Sequence, residues 1–315
     1  MADFSASRLG QVNGGGATDA MFLKVFPGEI LKFYNAANVM MNRHLVRSIT
    51  SGKSATFPVT GWANASYHVP GTQLTGVAGG PIKHAERVIN IDSLLVSDAF
   101  VANIDEAMNH FEVRGEYARQ LGEALALKGD KQQIQIAILA ARSAANITGG
   151  PGGSALTNAT AGTDGEVLAS MVFDANRLMD EKNVAGTERQ VVVKPAQYYL
   201  LAQTTKVINK DWGGSGVYAD GSIYRVAGAE IVKSINVPST NIASAESGVN
   251  NTYHGDFSKS VAVVFHKAAI GTVKLLDLAT EKDYMIAFQG TLMVAKYAMG
   301  HGILRPECAV EIATP

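Results

Sequence analysis

Cysteine is nearly absent from this chain, with Cys308 the only one among 315 residues. A lone thiol excludes an intramolecular disulfide and suits a reducing compartment. Charge is also scarce. Asp, Glu, Lys and Arg make up 17% of the residues, against about 25% in ordinary globular proteins. A surface so poor in charge suits a protein largely covered by partners, although a compact enzyme can share it. The 27 basic and 28 acidic residues leave a formal net charge of -1. That balance does not resemble a protein with a strongly basic cleft for tight nucleic-acid binding; DNA beside such a chain would be held loosely, its phosphates not pinned. No apolar run approaches the ~20 residues that span a bilayer. Residues 1–20 have no apolar signal-peptide core, and the expectation is a protein made and kept in a cytoplasm.

Catalytic patterns are missing as well. Ser51-Gly52-Lys53-Ser54 contains the end of a phosphate-binding loop, but Arg47 stands where that loop needs its first glycine. The segment also runs into a strand, whereas a phosphate loop opens a helix. The histidines, His44, His68, His84, His110, His254, His266 and His301, show no HxxxH or HExxH spacing. Ser215 lies in a glycine run without the flanking pattern of a nucleophile elbow. The carboxylates of residues 105–123 are interleaved with Arg114 and Arg119, as on a solvated or interfacial helix face. No catalytic residue, cofactor or metal ligand is assigned, and the expectation is not an enzyme.

What the chain does have is apolar material for a core, at 47% of residues, and 32 glycines that divide it into segments. Residues 1–20 are small and polar, and a helix is expected after Pro27. Two strand-like runs, 54–59 and 87–91, bracket a long stretch rich in Gly, Pro and Thr. Such an excursion reads as an extended hairpin arm, and connections longer than ~15 residues are usually functional. Trp62, Tyr67, His68, Val69 and Leu74 give the arm apolar and aromatic content that needs a neighbour to bury it.

Residues 98–142 carry the strongest helical signal. Ile104, Met108, Phe111, Leu121 and Leu125 fall along one face and are the expected core of a spine helix. A helix over 104–128 would be ~37 Å long, and Gly129-Asp130 is a possible bend or end, with a second helix following. A helix at 167–181, a buried strand at 189–193, a short helix at 195–205, a hairpin around Ala227-Gly228 and strands at 259–265, 291–297 and 309–312 complete the reading. Without a regular βαβ period the fold class is α+β. Arg43, Arg47 and Lys53 form a small basic cluster beside the arm, suited to a neighbour's acidic residues or to DNA, or serving as ordinary surface charge.

Three ordered stretches carry a family resemblance. The first is Arg43-His44-Leu45-Val46-Arg47-Ser48-Ile49 with Ser51-Gly52-Lys53-Ser54-Ala55 and Phe57-Pro58-Val59. The second is Asp105-Glu106-Ala107-Met108-Asn109-His110 with Val113-Arg114, Glu116-Tyr117 and Gln120-Leu121-Gly122-Glu123. The third is Gly271-Thr272-Val273-Lys274-Leu275 and Asp277-Leu278-Ala279, then Ala295-Lys296-Tyr297-Ala298-Met299-Gly300-His301-Gly302 and Leu304-Arg305-Pro306-Glu307. Together they resemble the major capsid proteins of the autographivirus group, the T-seven-like short-tailed phages. The match is weakest between about 134 and 250.

That resemblance implies the tailed-phage capsid fold of the Hong Kong ninety-seven type. It implies an N-terminal arm at 1–47, an extended loop with its flanking strands at 48–92, a peripheral domain from 93–144 and 271–315, and an axial domain at 145–270. It further implies self-assembly into hexamers and pentamers of an icosahedral shell, built in the host bacterial cytoplasm and ending as the virion capsid. The implied partners are copies of itself, a scaffolding protein, a portal at one vertex and packaged double-stranded DNA held non-specifically, with decoration proteins left open. The alternative is another virion structural protein, or the shell of a bacterial encapsulated compartment, with the same fold.

Overall fold

The computed structural model describes residues 38–63, 65, 67–71, 73, 82–104, 114–204 and 225–315. Residues 1–20, the helix expected after Pro27 and the glycine run around Ser215 lie outside these. So do three of the expected site residues, Leu74, Met108 and Phe111.

The described chain builds two larger sheets joined by one long helix. In sequence order the first elements are β1 (Leu45–Ser48), β2 (Ser54–Thr60), β3 (His84–Asn90), β4 (Leu95–Ala102) and helix α1 (Arg114–Arg142). Next come β5 (Ser154–Thr157), α2 (Gly165–Glu181), β6 (Arg189–Val193), α3 (Pro195–Gln203), β7 (Arg225–Val226) and β8 (Ala229–Lys233). The short pair β9 (Asn241–Ile242) and β10 (Gly255–Asp256) precedes β11 (Ser260–His266), β12 (Ile270–Met285), β13 (Gly290–Ile303) and β14 (Ala309–Ala313).

One sheet has the order β5-β14-β11-β6-β8-β7. Its central strands, Arg-Gln-Val-Val-Val in β6 and Ser-Val-Ala-Val-Val-Phe-His in β11, are buried nearly throughout. They read as continuous apolar runs because both faces of this sheet are covered. On one face Leu168, Val172, Ala175 and Met179 of α2 and Leu201 of α3 meet Val191, Val193, Val264 and Ile312. On the other, Ile134, Ala137, Ile138 and Ala141 of α1 meet Val192, Val263, Phe265 and Ala309. Asp164 caps α2 by accepting the Glu166 N–H at 2.9 Å. The β7–β8 turn at Ala227-Gly228 has φ of 51° and 81°, the left-handed pair that suits a two-residue hairpin.

The second sheet has the order β1-β12-β13-β4, with β1 parallel to β12 and the other pairs antiparallel. The β12–β13 hairpin is ~50 Å long at ~3.4 Å per residue. Ala99, Val101, Met293, Ala295 and Tyr297 of this sheet pack on Ala118, Leu121 and Leu125 of α1. One helix of 29 residues therefore serves the cores of both sheets.

The structure corrects several expectations. Residues 98–102 are not the start of a helix but half of β4, paired with β13 from Gly290↔Ala102 to Tyr297↔Leu95. Phe100 lies beneath Phe288 in an edge-to-face contact, and a sheet neighbour outweighs the helical spacing. Residues 154–157, for which no strand is expected above, form β5 on β14. The long strand β12 was not foreseen, because its outer half mixes charged and apolar residues. β14 lies between β5 and β11 in the six-stranded sheet and not beside β13, its predecessor in sequence.

Gly129-Asp130 does not end the spine; α1 continues through both. A Cβ at Gly129 would come within 3.1 Å of the Tyr297 hydroxyl, so glycine here serves close approach of helix to sheet. The Asp130 carboxylate is buried and accepts the Val39 N–H at 2.7 Å and the Met40 N–H at 3.1 Å. It holds down the strap that leads into β1.

Candidate assembly interface

The arm begins as a well-formed hairpin. β2 and β3 pair without a register shift from Ser54↔Asn90 to Thr60↔His84, and the Gly61 N–H donates to the Lys83 carbonyl at 2.8 Å. Its stem is tied to the body, since Arg87 Nε donates to Asn146 Oδ1 at 2.6 Å and Lys83 Nζ to the Thr148 carbonyl at 2.7 Å. Beyond the stem, Trp62 is 54% exposed, Val69 63%, and Tyr67 and His68 are exposed. None of these four belongs to a core cluster among the described residues. Burying a large apolar side chain is worth roughly 1.5–3 kcal/mol, so the arm presents apolar surface that its own subunit leaves uncovered.

The root of the arm is locked more tightly. Asp92 accepts the backbone N–H groups of Asn250 and Asn251 at 2.8 and 3.2 Å, together with the Tyr253 hydroxyl. Asn251 Nδ2 donates back to the Asn90 carbonyl at 2.7 Å, and Asn250 Nδ2 to the Ile91 carbonyl at 2.6 Å. Gly300 lies against Asn90 so closely that a Cβ would overlap its carbonyl oxygen.

The three basic residues read from sequence as one cluster have different partners. Arg43 turns to Glu230 in an ion pair at 2.7 Å. Arg47 donates to the Thr56 carbonyl at 2.7 Å and stacks 5.7 Å over Phe57. Lys53 is exposed, with its carbonyl receiving the Ile91 N–H. Two of the three side chains are thus engaged within the subunit. On the spine, Leu121 and Leu125 are buried, whereas Ile104 is 67% exposed. Ile104 stands beyond the end of β4, past the reach of the core beneath α1, so its expected place on the core face is corrected.

A second exposed apolar group was not anticipated. At the far end of the β12–β13 hairpin Tyr284, Ile286 and Phe288 are exposed. The signal available was the apolar run Tyr-Met-Ile-Ala-Phe between Asp283 and Gln289, too uniform for a solvated turn.

Between the arm root and the two sheets lies a buried polar junction. His301 Nδ1 is 2.8 Å from Thr272 Oγ1, and the His301 N–H donates to Tyr253 Oη at 2.9 Å. His44 Nδ1 is 3.0 Å from the Met40 carbonyl. Burial lowers both imidazoles, His44 to about 4 and His301 to about 3, and their proximity lowers His301 further. Burial raises Asp130 to about 6, against the opposing pull of the two N–H groups it accepts. Burial and then the nearby Asp92 raise Tyr253, and burial raises the Cys308 thiol to about 12. A thiol so placed stays protonated and inert. Among the described residues no group of three or more His, Cys, Asp or Glu could hold a metal, and no helix is long and apolar enough to cross a membrane.

A hairpin arm, a spine helix shared by two sheets and a long peripheral hairpin define a capsid subunit of the tailed-phage fold. A family model described as Gp10A-like major capsid protein matches residues 56–313. The major capsid protein of Escherichia phage T7 is 36% identical, with 92% of this chain and 90% of that one covered. Among solved structures, the capsid of cyanophage P-SCSP1u superposes with a TM-score of 0.81 at 44% identity, covering 100% of this chain and 99% of that one. The bacteriophage PhiM1 mature capsid superposes at 0.71, covering 99% and 92%, and its 19% identity shows the fold alone. The chain belongs to the Gp10A-like major capsid protein family. Its function is structural, as a shell-forming subunit of a tailed-phage capsid, and its place is the virion capsid.

Proposed function

We propose that the chain assembles as hexamers and pentamers around a shell that encloses double-stranded DNA, with the arm of each subunit lying across its neighbour. The observation that carries this reading is the exposure of Trp62, Tyr67 and Val69 on an arm whose stem is in register and fastened to the body. A rigid stem ending in uncovered aromatic surface is built to be buried by another molecule. Repetition by symmetry then turns many modest contacts into a strong shell. Residues 1–47 act as the N-terminal arm, 48–92 as the extended loop, 93–144 with 271–315 as the peripheral domain, and 145–270 as the axial domain. β14 is the one strand of that third segment that sits in the other sheet.

A scaffolding protein and a portal at one vertex direct assembly in the host cytoplasm, and DNA is held without sequence preference. None of these roles calls for a catalytic step. The test is deletion of residues 62–80, followed by electron microscopy of the purified subunit with its scaffolding partner. The expected result is a folded subunit that forms no closed shells. Normal shells from the deleted chain would overturn the reading of the arm. DNA-filled particles from infected cells separate a phage capsid from a cargo compartment.

A further inference from the structure

A cleft of about 180 Å³ opens between the middle of α1 and the segment 242–254. On the helix side it is lined by Lys128, Lys131, Gln132 and Gln135. Their spacing of i, i+3, i+4 and i+7 puts all four on one helical face. Ser244, His254 and the carboxylate of Glu246 stand opposite.

The polar groups of this cleft are not all satisfied. Gln135 is 5% exposed and its amide bonds to no other described residue, so the solvent it retains is that of the cleft. Nδ1 of His254 is buried without a hydrogen-bond partner. Lys128 is ion-paired with Glu246, but Lys131 pairs with no carboxylate among the described residues. A buried ring nitrogen left unbonded is costly, whereas the Gln135 amide meets only the solvent of the cleft; a ligand that bonds both replaces that solvent and recovers the cost at His254. The missing ligand must offer several acceptor oxygens to an amide N–H, an ammonium and an imidazole N–H, and it must be negative. A phosphate group meets each demand, and the cleft has room for one.

We propose that this cleft is a phosphate-binding site, with Lys131 supplying the charge and Gln135 and His254 the buried hydrogen bonds. Free phosphate and the phosphodiester backbone of DNA offer the same chemistry. The choice of DNA as the source rests on the shell reading above, whereas the site itself does not.

The experiment uses the full-length, unassembled chain at constant ionic strength set with chloride. Sodium phosphate is titrated while binding heat and the His254 ring resonances are followed, and a short DNA duplex is then added in competition. Wild type is expected to bind saturably, with the His254 signals moving. Lys131→Ala, which changes an exposed side chain, and Gln135→Leu, which removes the amide at similar volume, should each weaken binding roughly tenfold or more through loss of a charge-assisted or buried bond. Displacement of phosphate by the duplex assigns the site to DNA backbone, and its failure to displace assigns the site to free phosphate. No saturable binding by wild type, or unchanged binding in folded Lys131→Ala, would overturn the proposal. Shell formation by the same preparations, scored by electron microscopy without DNA, tests the assembly reading separately.

Discussion

Arg142 and Glu311 form a two-pronged ion pair, with Nε to Oε2 at 2.6 Å and Nη2 to Oε1 at 2.7 Å. It joins the last residue of α1 to the C-terminal strand. Glu311 is almost wholly buried and also accepts from Ser260 Oγ at 2.5 Å, while the guanidinium stacks 5.5 Å over Phe257. The arginine also sits in the last turn of α1, where a cation complements the helix dipole. Arg142→Ala leaves a buried carboxylate without its cation and is expected to cost about 3 kcal/mol. Glu311→Gln keeps the shape and should cost less, about 1–2 kcal/mol. Urea unfolding of the unassembled subunit measures both, and an Arg142→Ala loss under about 0.5 kcal/mol would mean that the pair is idle.

Acid should weaken the fold, and the window follows from three buried groups. His44 and His301 titrate near 4 and 3 in the folded chain against 6.5 when unfolded. The unfolded chain therefore binds more protons below 6.5, and stability falls as pH drops through that value, by about 1.4 kcal/mol per pH unit for each histidine. Asp130 acts in the opposite sense, because its folded value of about 6 lies above the ordinary 3.8. It adds stability as pH falls from about 6 towards 4. The two histidines outweigh the one carboxylate, and the thermal midpoint is expected to fall between pH 6.5 and 4. His301→Gln should flatten that dependence and Asp130→Asn should steepen it. A midpoint independent of pH in wild type would contradict the buried neutral pair.

The strap ahead of β1 should depend on one carboxylate. Asp130→Ala removes the acceptor of the Val39 and Met40 N–H groups. Two buried donors left unbonded cost about 2–4 kcal/mol, and fast hydrogen exchange is expected at both amides. Exchange that stays slow at Val39 and Met40 would show that the strap is held by Met40 in the core alone.

Gly300→Ala should be among the most damaging single-methyl additions in the chain. The new Cβ would overlap the Asn90 carbonyl oxygen, which is itself fixed by Asn251. Neither side can give way cheaply, and the expected loss is about 3 kcal/mol. Gly228→Ala is the control: its Cβ would meet nothing within 4 Å, although φ of 81° disfavours it. The thermal midpoints of the two variants should separate clearly.

Much of the fold was legible where a local rule and the tertiary contact agree. The buried run at 189–193, the helix at 167–181, the Ala227-Gly228 turn and the arm stem were all readable from periodicity and turn chemistry. The misreadings have a common cause. At 98–102 helical spacing is real, but a partner strand nearly two hundred residues away takes those residues. At Gly129 a helix breaker is tolerated because the Tyr297 hydroxyl needs its space. The Arg43, Arg47 and Lys53 group looked like one patch in sequence, but Glu230 and Phe57 engage two of its members within the subunit. The polar junction around His301 gave no signal, since its members come from residues 44, 92, 251, 253, 272 and 301.

The shared helix has a mechanical consequence. With Leu121 and Leu125 in one core and Ile134 and Ile138 in the other, neither sheet can melt without stripping half of α1 and exposing the neighbouring core. The isolated subunit is thereby expected to unfold as one cooperative unit, with a single transition seen alike by far-ultraviolet dichroism and by the near-ultraviolet signal of the buried Tyr198, Tyr253 and Tyr297. A load applied at the peripheral hairpin is likewise carried along a stiff rod into the six-stranded sheet.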